Sequence, residues 1–156
     1  MGIPERGTIP AMAVKELYDR DFFLWTVRNA ELLRAGRLDE ADLQHIAEEI
    51  EDMGKREQRE LESRLIVLLV HLLKGRVQPN RRGASWMGTI KIQRDEIARL
   101  LKKMPTLCNA LAEEVPEAYR SAVLRAAIQT GLAESSFPET CPFGLEQILD
   151  REFLPA

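Results

Sequence analysis

Apolar positions recur at intervals of three and four along most of this chain, and no segment shows the sustained two-residue alternation of a half-buried strand. Tyr18, Phe22, Trp25, Leu32 and Leu33 predict a first helical segment, with Asp19 or Asp21 as its N-cap and Gly36 as its stop. Asp39 opens a second, on which Leu43, Ile46, Ile50 and Met53 form a stripe. Gly54 favours a break there, giving two coaxial or kinked helices. The same spacing continues through Glu57, Leu61, Arg64, Leu68 and His71, so one long helix from about 40 to 74 stays open.

Residues 57–74, EQRELESRLIVLLVHLLK, carry apolar side chains on every side of a helix. A helix with so little polar surface belongs inside a protein. Gly75, Pro79, Asn80 and Gly83 then mark a loop. Ser85 can cap a helix from about Trp86 to Lys103 with Ile90, Ile97, Leu100 and Leu101 inward. Pro105 ends it, Thr106 can cap a short helix to about Glu114, and Pro116 suits the first turn of the next. Tyr119, Val123, Ala126 and Ala127 are the inner face of that helix, and Gly131 is its left-handed stop. A turn-rich stretch over 133–143 leads to a last helix from about Leu145 to Asp150. The expectation is an all-α, single-domain helical bundle of about six or seven helices around a central apolar helix at about 55–74. That domain covers residues 14–156, and residues 1–13 are read as a flexible N-terminal arm with no secretory pattern.

Composition narrows the class. With 45% apolar and 30% charged residues the chain is of globular type, and its longest apolar run is too short to span a bilayer. No membrane association is expected. Two cysteines, Cys108 and Cys141, lie in no paired spacing, which predicts free, buried thiols in a reduced, cytoplasmic protein. The net charge of −3 hides an asymmetry: residues 39–62 sum to −7 and residues 74–103 to +7. Opposed blocks of this kind are expected to face each other within the fold or across a dimer.

Several words of the sequence occur together in one known family. They are DFFLW at 21–25, EEIEDMG at 48–54, RELESRLIVLLVHLLK at 59–74, QP at 78–79, SW at 85–86, FPETCP at 137–142, LEQILD at 145–150 and the terminal FLP. In these the chain resembles the bacterial family known as domain of unknown function twenty-nine, over roughly residues 14–155. The resemblance implies a small all-helical cytoplasmic protein and carries over no catalytic residue. Gly75 departs from it, standing where relatives have an aromatic residue, and is expected to open space beside the central helix. Gly144 departs too, standing where they have a capping Ser or Thr.

Candidate chemistry is sparse. Arg64 and His71, seven residues apart, lie on one helical face. Their spacing resembles that of a class of metal-independent helical ribonucleases, in which His would move the 2′-hydroxyl proton and Arg would stabilise the phosphorane. The alternative is a structural polar network of Glu49, Glu57, Glu60, Arg64 and His71, with Arg64 paired to Glu60 one turn earlier. Arg81, Arg82, Lys91 and Arg94 are candidate anion-binding residues. His45, Glu48, Glu49 and Asp52 share a helix face, but their order is not that of a di-iron bundle, so neither metal nor cofactor is expected. Trp25 and Trp86 read as core anchors.

Three functions remain open. The leading one is a non-enzymatic helical interaction or regulatory module with a protein partner, or self-association through its charged faces. The others are the Arg64/His71 ribonuclease, and an anion or nucleic-acid binder working through the basic 74–103 segment.

Overall fold

A computed structural model describes residues 13–156, so the arm expected over residues 1–13 lies, Ala13 apart, outside the described residues. Among the described residues the chain is all-helical, with six α-helices and no strand. It divides into two compact units, Met1–Lys55 and Arg56–Ala156.

In the first unit, α1 (Val14–Arg20) and α2 (Phe22–Arg34) meet at Asp21. Asp21 ends one helix and caps the other: its Oδ1 accepts the Leu24 N–H at 2.9 Å, satisfying one donor of the new helix's first turn. Gly36 then takes φ 70°, a left-handed conformation that glycine adopts without a Cβ penalty, and ends the segment. Leu17 and Trp25 are the buried apolar side chains of these two helices, and Asn29 is buried with them.

The next helix, α3 (Leu43–Val77), is unbroken for 35 residues. The break expected at Gly54 is absent, and Gly75 lies inside the helix, not in a loop. A helix-interior glycine costs only about 1 kcal/mol relative to alanine, too little to stop a helix anchored at both ends. Gly54 needs its lack of a side chain for no local reason, since a Cβ there would meet nothing within 4 Å. Every side chain of residues 51–56 is exposed. This stretch of α3 is held by its own backbone hydrogen bonds and by pairs such as Glu51–Lys55 at 3.8 Å.

The second unit is organised by the other half of α3. Leu61, Leu65, Leu68, Leu69, Leu72 and Leu73 are fully buried, each contributing about 2 kcal/mol by leaving water. Around them close α4 (Ala84–Lys103), α5 (Leu107–Thr130) and α6 (Leu145–Leu149), through Ile90, Ile97, Leu100, Leu111, Tyr119 and Ile148 of one continuous core. Short 3-10 turns at Pro79–Arg81 and Glu134–Ser136 join these helices. The segment predicted as two helices around Pro116 is the single α5, with the proline inside. Proline removes the N–H that would reach the Ala112 carbonyl. Both residues are exposed, so water can take the freed acceptor. Gly131 ends α5 at φ 72°, as its position predicted. Cys108, expected in the core, is exposed. It lies in the first turn of α5, before the stripe meets the core at Leu111.

A five-residue helix such as α6 cannot stand alone; Arg94 holds it. Only 3% exposed, Arg94 donates to the carbonyls of Ile148 (2.9 Å), Phe153 (2.9 Å) and Gln147 (3.2 Å). One planar guanidinium thus satisfies the acceptors left open where α6 ends.

Two glycines of α3 should respond in opposite directions. Gly54→Ala should raise stability by about 0.5–1 kcal/mol in denaturant unfolding, through helix propensity and a less flexible unfolded chain. Gly75→Ala should lower it by about 1–3 kcal/mol, because the new Cβ would lie 2.9 Å from Trp86 Cε2 and closer still to Cζ2. Equal and small effects at the two positions would contradict these placements.

Candidate functional site

Gly75 admits Trp86. Bare of a side chain and buried on α3, it lets the indole lie against the helix backbone, where Trp86 Nε1 donates to the His71 carbonyl at 2.7 Å. The space expected beside Gly75 is therefore filled, and Trp86 is a core anchor. Arg82 clamps the arrangement. Its guanidinium lies 5.5 Å from the indole ring centre and donates to the carbonyls of Gly75 (2.7 Å) and Pro155 (2.6 Å).

Beside this packing opens a cavity of about 310 Å³ whose wall includes His71, Lys74, Arg81, Ser85, Trp86 and Gln129. Three helices and the Pro79–Arg81 turn contribute to it. Lys74 Nζ donates to Gln129 Oε1 at 3.1 Å. His71 Nδ1 lies 2.9 Å from the Val67 carbonyl. A carbonyl can only accept, so Nδ1 carries the proton and Nε2 is left for other contacts. Burial holds the His71 pKa below its ordinary value; the Val67 bond opposes this and Lys74 adds to it.

Arg64 lies elsewhere. It lines a separate depression with Glu60, Ser63, Val67 and Gln93. Its Nε and one terminal nitrogen donate to Glu60 Oε1 at 3.0 and 2.9 Å, and the other terminal nitrogen donates to Gln93 Oε1 at 3.4 Å. Arg64 and His71 share a helix face, about 10 Å apart along the axis, but no cavity.

The other predicted residues are distributed. Glu60, Arg64, Glu96 and Arg99 form one half-exposed ion cluster across α3 and α4, with Arg99–Glu96 at 2.9 Å and Arg99–Glu60 at 3.7 Å. Glu57 pairs with Lys103 at 3.0 Å. Only the end of the acidic block, Glu57 and Glu60, is paired with the basic block where α3 faces α4, in exposed pairs worth about 0–1 kcal/mol each. Glu49 is apart from them, accepting from Tyr18. Of the anion-binding candidates, Arg81 lines the His71 cavity, and Arg82 is committed to backbone carbonyls. Lys91 and Arg94 line another depression, with Arg151 and Glu152. Arg94 departs most from the expectation, because its charge is buried and occupied by the carbonyls around α6.

In the first unit the structure joins residues that the sequence did not connect. Asp42, 1% exposed, accepts from Trp25 Nε1 (3.0 Å) and from the His45 ring (2.6 Å) on the same Oδ2. Its backbone N–H donates to Asn29 Oδ1 at 2.8 Å, and Asn29 Nδ2 reaches the Trp25 carbonyl. Tyr18 stacks on His45 at 3.9 Å and donates to Glu49 Oε1 at 2.7 Å, a bond that pushes the phenol pKa up to about 12. Burial would raise the Asp42 pKa, but the bonds from His45 and Trp25 outweigh it and hold the carboxyl below its ordinary value. Asp39, expected to open this helix, lies before it, and Asp42 is the residue that immediately precedes α3. Outside this network, Leu43, Ile50 and Met53 of the α3 stripe stay open to solvent. Among the described residues no group of acidic, His or Cys side chains is placed to hold a metal ion, and no helix is long and apolar enough to cross a membrane.

A family model, described as domain of unknown function DUF29, matches residues 17–154. No curated protein and no solved structure matches the chain.

Both depressed pKa values carry the same sign. The unfolded chain binds protons more readily at His71 and Asp42, so stability falls as pH falls. The His71 contribution is complete above about 6.5 and lost as pH drops through its folded pKa. The Asp42 contribution is complete above about 3.8 and lost below that in the same way. Urea unfolding from pH 8 to 3 should show both declines, with His71→Gln flattening the upper and Asp42→Asn the lower. Stability that rises on acidification through either window would contradict the assignment.

Proposed function

We propose that this chain, which belongs to the domain of unknown function DUF29 family, is a non-enzymatic interaction module that docks a basic amphipathic helix of a protein partner. The docking surface is the N-terminal half of α3. The observation that carries this reading is the exposure of Leu43, Ile50 and Met53, at 50%, 63% and 59%, along one stripe of a long helix. Side chains of this size each gain about 2 kcal/mol when covered. A stripe at three-four spacing is the surface that a second helix covers by interlocking side chains.

Charge supports the choice of partner. Glu48, Glu51 and Asp52 flank the stripe and are exposed, Glu51 in a loose pair with Lys55 at 3.8 Å, whereas the acids nearer α4 face Lys103 and Arg99. A partner with Lys or Arg beside its apolar stripe is attracted, and a second copy of this acidic face is repelled. The two unbridged cysteines, one of them exposed, support a reducing, cytoplasmic setting. The ribonuclease reading needs Arg64 and His71 to act on one phosphate, and they line different depressions.

A labelled peptide of about three heptads, with Leu at the a and d positions and Lys at e and g, is the probe. Fluorescence anisotropy should show saturable binding that weakens with salt. The double variant Ile50→Glu, Met53→Glu should weaken it by at least ~10-fold while keeping helicity and Tm. Absence of saturable binding, or binding indifferent to the double variant, would overturn the reading. A concentration-dependent dimer that the double variant dissolves would overturn it too, by making a second copy the occupant.

A further inference from the structure

The cavity beside Trp86 concentrates positive charge without compensation. Lys74 reaches it from α3 and Arg81 from the 3-10 turn, while no acidic side chain forms any part of its wall. The Lys74 ammonium donates to a neutral amide, Gln129. Other cations of this unit face carboxylates, as Lys103 does Glu57 and Arg99 does Glu96. A concave site walled by low-dielectric side chains focuses an unneutralised potential more strongly than a flat surface does.

We infer that the cavity binds a phosphate-class oxyanion, either inorganic phosphate or the terminal phosphate of a small monoester. Its volume of about 310 Å³ lies at the small end of ligand sites, suited to a phosphate with a short substituent and far too small for a duplex. Arg81 offers a planar fork that matches two phosphate oxygens, and Lys74 a point charge. The Ser85 hydroxyl supplies a further donor at the wall. With Nδ1 committed to Val67, His71 meets the ligand through Nε2 and gains a proton when a dianion arrives. The titratable groups around that imidazole within the cavity are Lys74 and Arg81, both cationic, while α5 contributes the neutral Gln129. The anion therefore reverses the local charge that His71 experiences. Trp86 forms an apolar part of the wall, and Arg82 lies behind it, committed to the carbonyls of Gly75 and Pro155. The site lies within the second unit and does not rest on the docking surface of the first.

The chain has two histidines, which makes the test direct. Inorganic phosphate is titrated into the full chain at constant ionic strength while both imidazole signals are followed by NMR. His71 should shift saturably and its pKa should rise, while His45, bonded to Asp42 in the other unit, should not move. Arg81→Ala and Lys74→Gln, both at solvent-accessible positions, should each weaken binding by at least ~10-fold without loss of helicity. Ribose 5-phosphate binding more tightly than inorganic phosphate identifies an ester ligand, and equal binding identifies phosphate itself; either supports the inference. A linear shift common to both histidines is non-specific screening and overturns it. So does saturable binding that both variants leave unchanged, or binding seen only with an RNA oligonucleotide.

Discussion

The second unit is built around the apolar circumference of α3. Between Leu61 and Leu73 the helix buries Leu61, Leu65, Ile66, Leu68, Leu69, Val70, Leu72 and Leu73 to 6% exposure or less. A single neighbour can cover only one side of such a helix, so α4, α5 and α6 must each bring a stripe to it. Their composition fits that demand. Ala118, Ala122 and Ala126 of α5 keep that helix close, Ile90, Ile97 and Leu100 of α4 supply bulk, and Ile148 anchors α6. Enclosure also fixes where polar groups can go. Arg94 is buried because the carbonyls around α6 need donors that water cannot reach.

Where the enclosure stops, the helix changes character. Residues 51–56 are exposed all round, and upstream the apolar stripe of Leu43, Ile50 and Met53 is open beside acids. At the other end, the last turns of α3 meet the start of α4 through Trp86, seated on Gly75, and the basic cavity opens beside that contact. The proposed functions therefore fall at the two places where α3 leaves its casing. One is acidic and apolar, as a docking face for a basic helix would be. The other is cationic and concave, as a small anion site would be. Exposed ion pairs where α3 faces α4, such as Glu57–Lys103, contribute little stability.

Much of the architecture was legible in the chain because it rests on local rules. Asp21, Gly36 and Gly131 act as cap and stops for the reasons their chemistry gives, and three-four spacing located the inner faces of α4 and α5. The quoted words that resembled one family lie within the region its model matches, except that the terminal FLP runs one residue past its end. Helix breakers were over-read. Gly54 and Pro116 both sit inside continuous helices, because the penalty of one residue is small beside the packing on either side and, for Pro116, because water replaces the lost bond. Cys108 shares the spacing of a buried stripe but precedes the place where that stripe meets the core. The least legible features depend on partners distant in sequence. Arg94 finds Phe153 across 59 positions, Trp86 reaches His71 across 15, and Trp25 meets Asp42 across 17. No spacing rule carries that information, so Arg94 looked like a surface cation and the His71 cavity could not be assembled from the sequence.

The central claim is that one continuous helix passes through two environments, and amide hydrogen exchange along α3 tests it most directly. Amides from 61 to 75 should exchange only through global unfolding, and those from 51 to 56 at least ~100-fold faster while still slower than an unfolded chain, as befits a helix with nothing packed on it. Uniform protection from 43 to 77 would mean that the exposed segment is covered. Random-coil exchange around Gly54 would mean that the helix is broken after all.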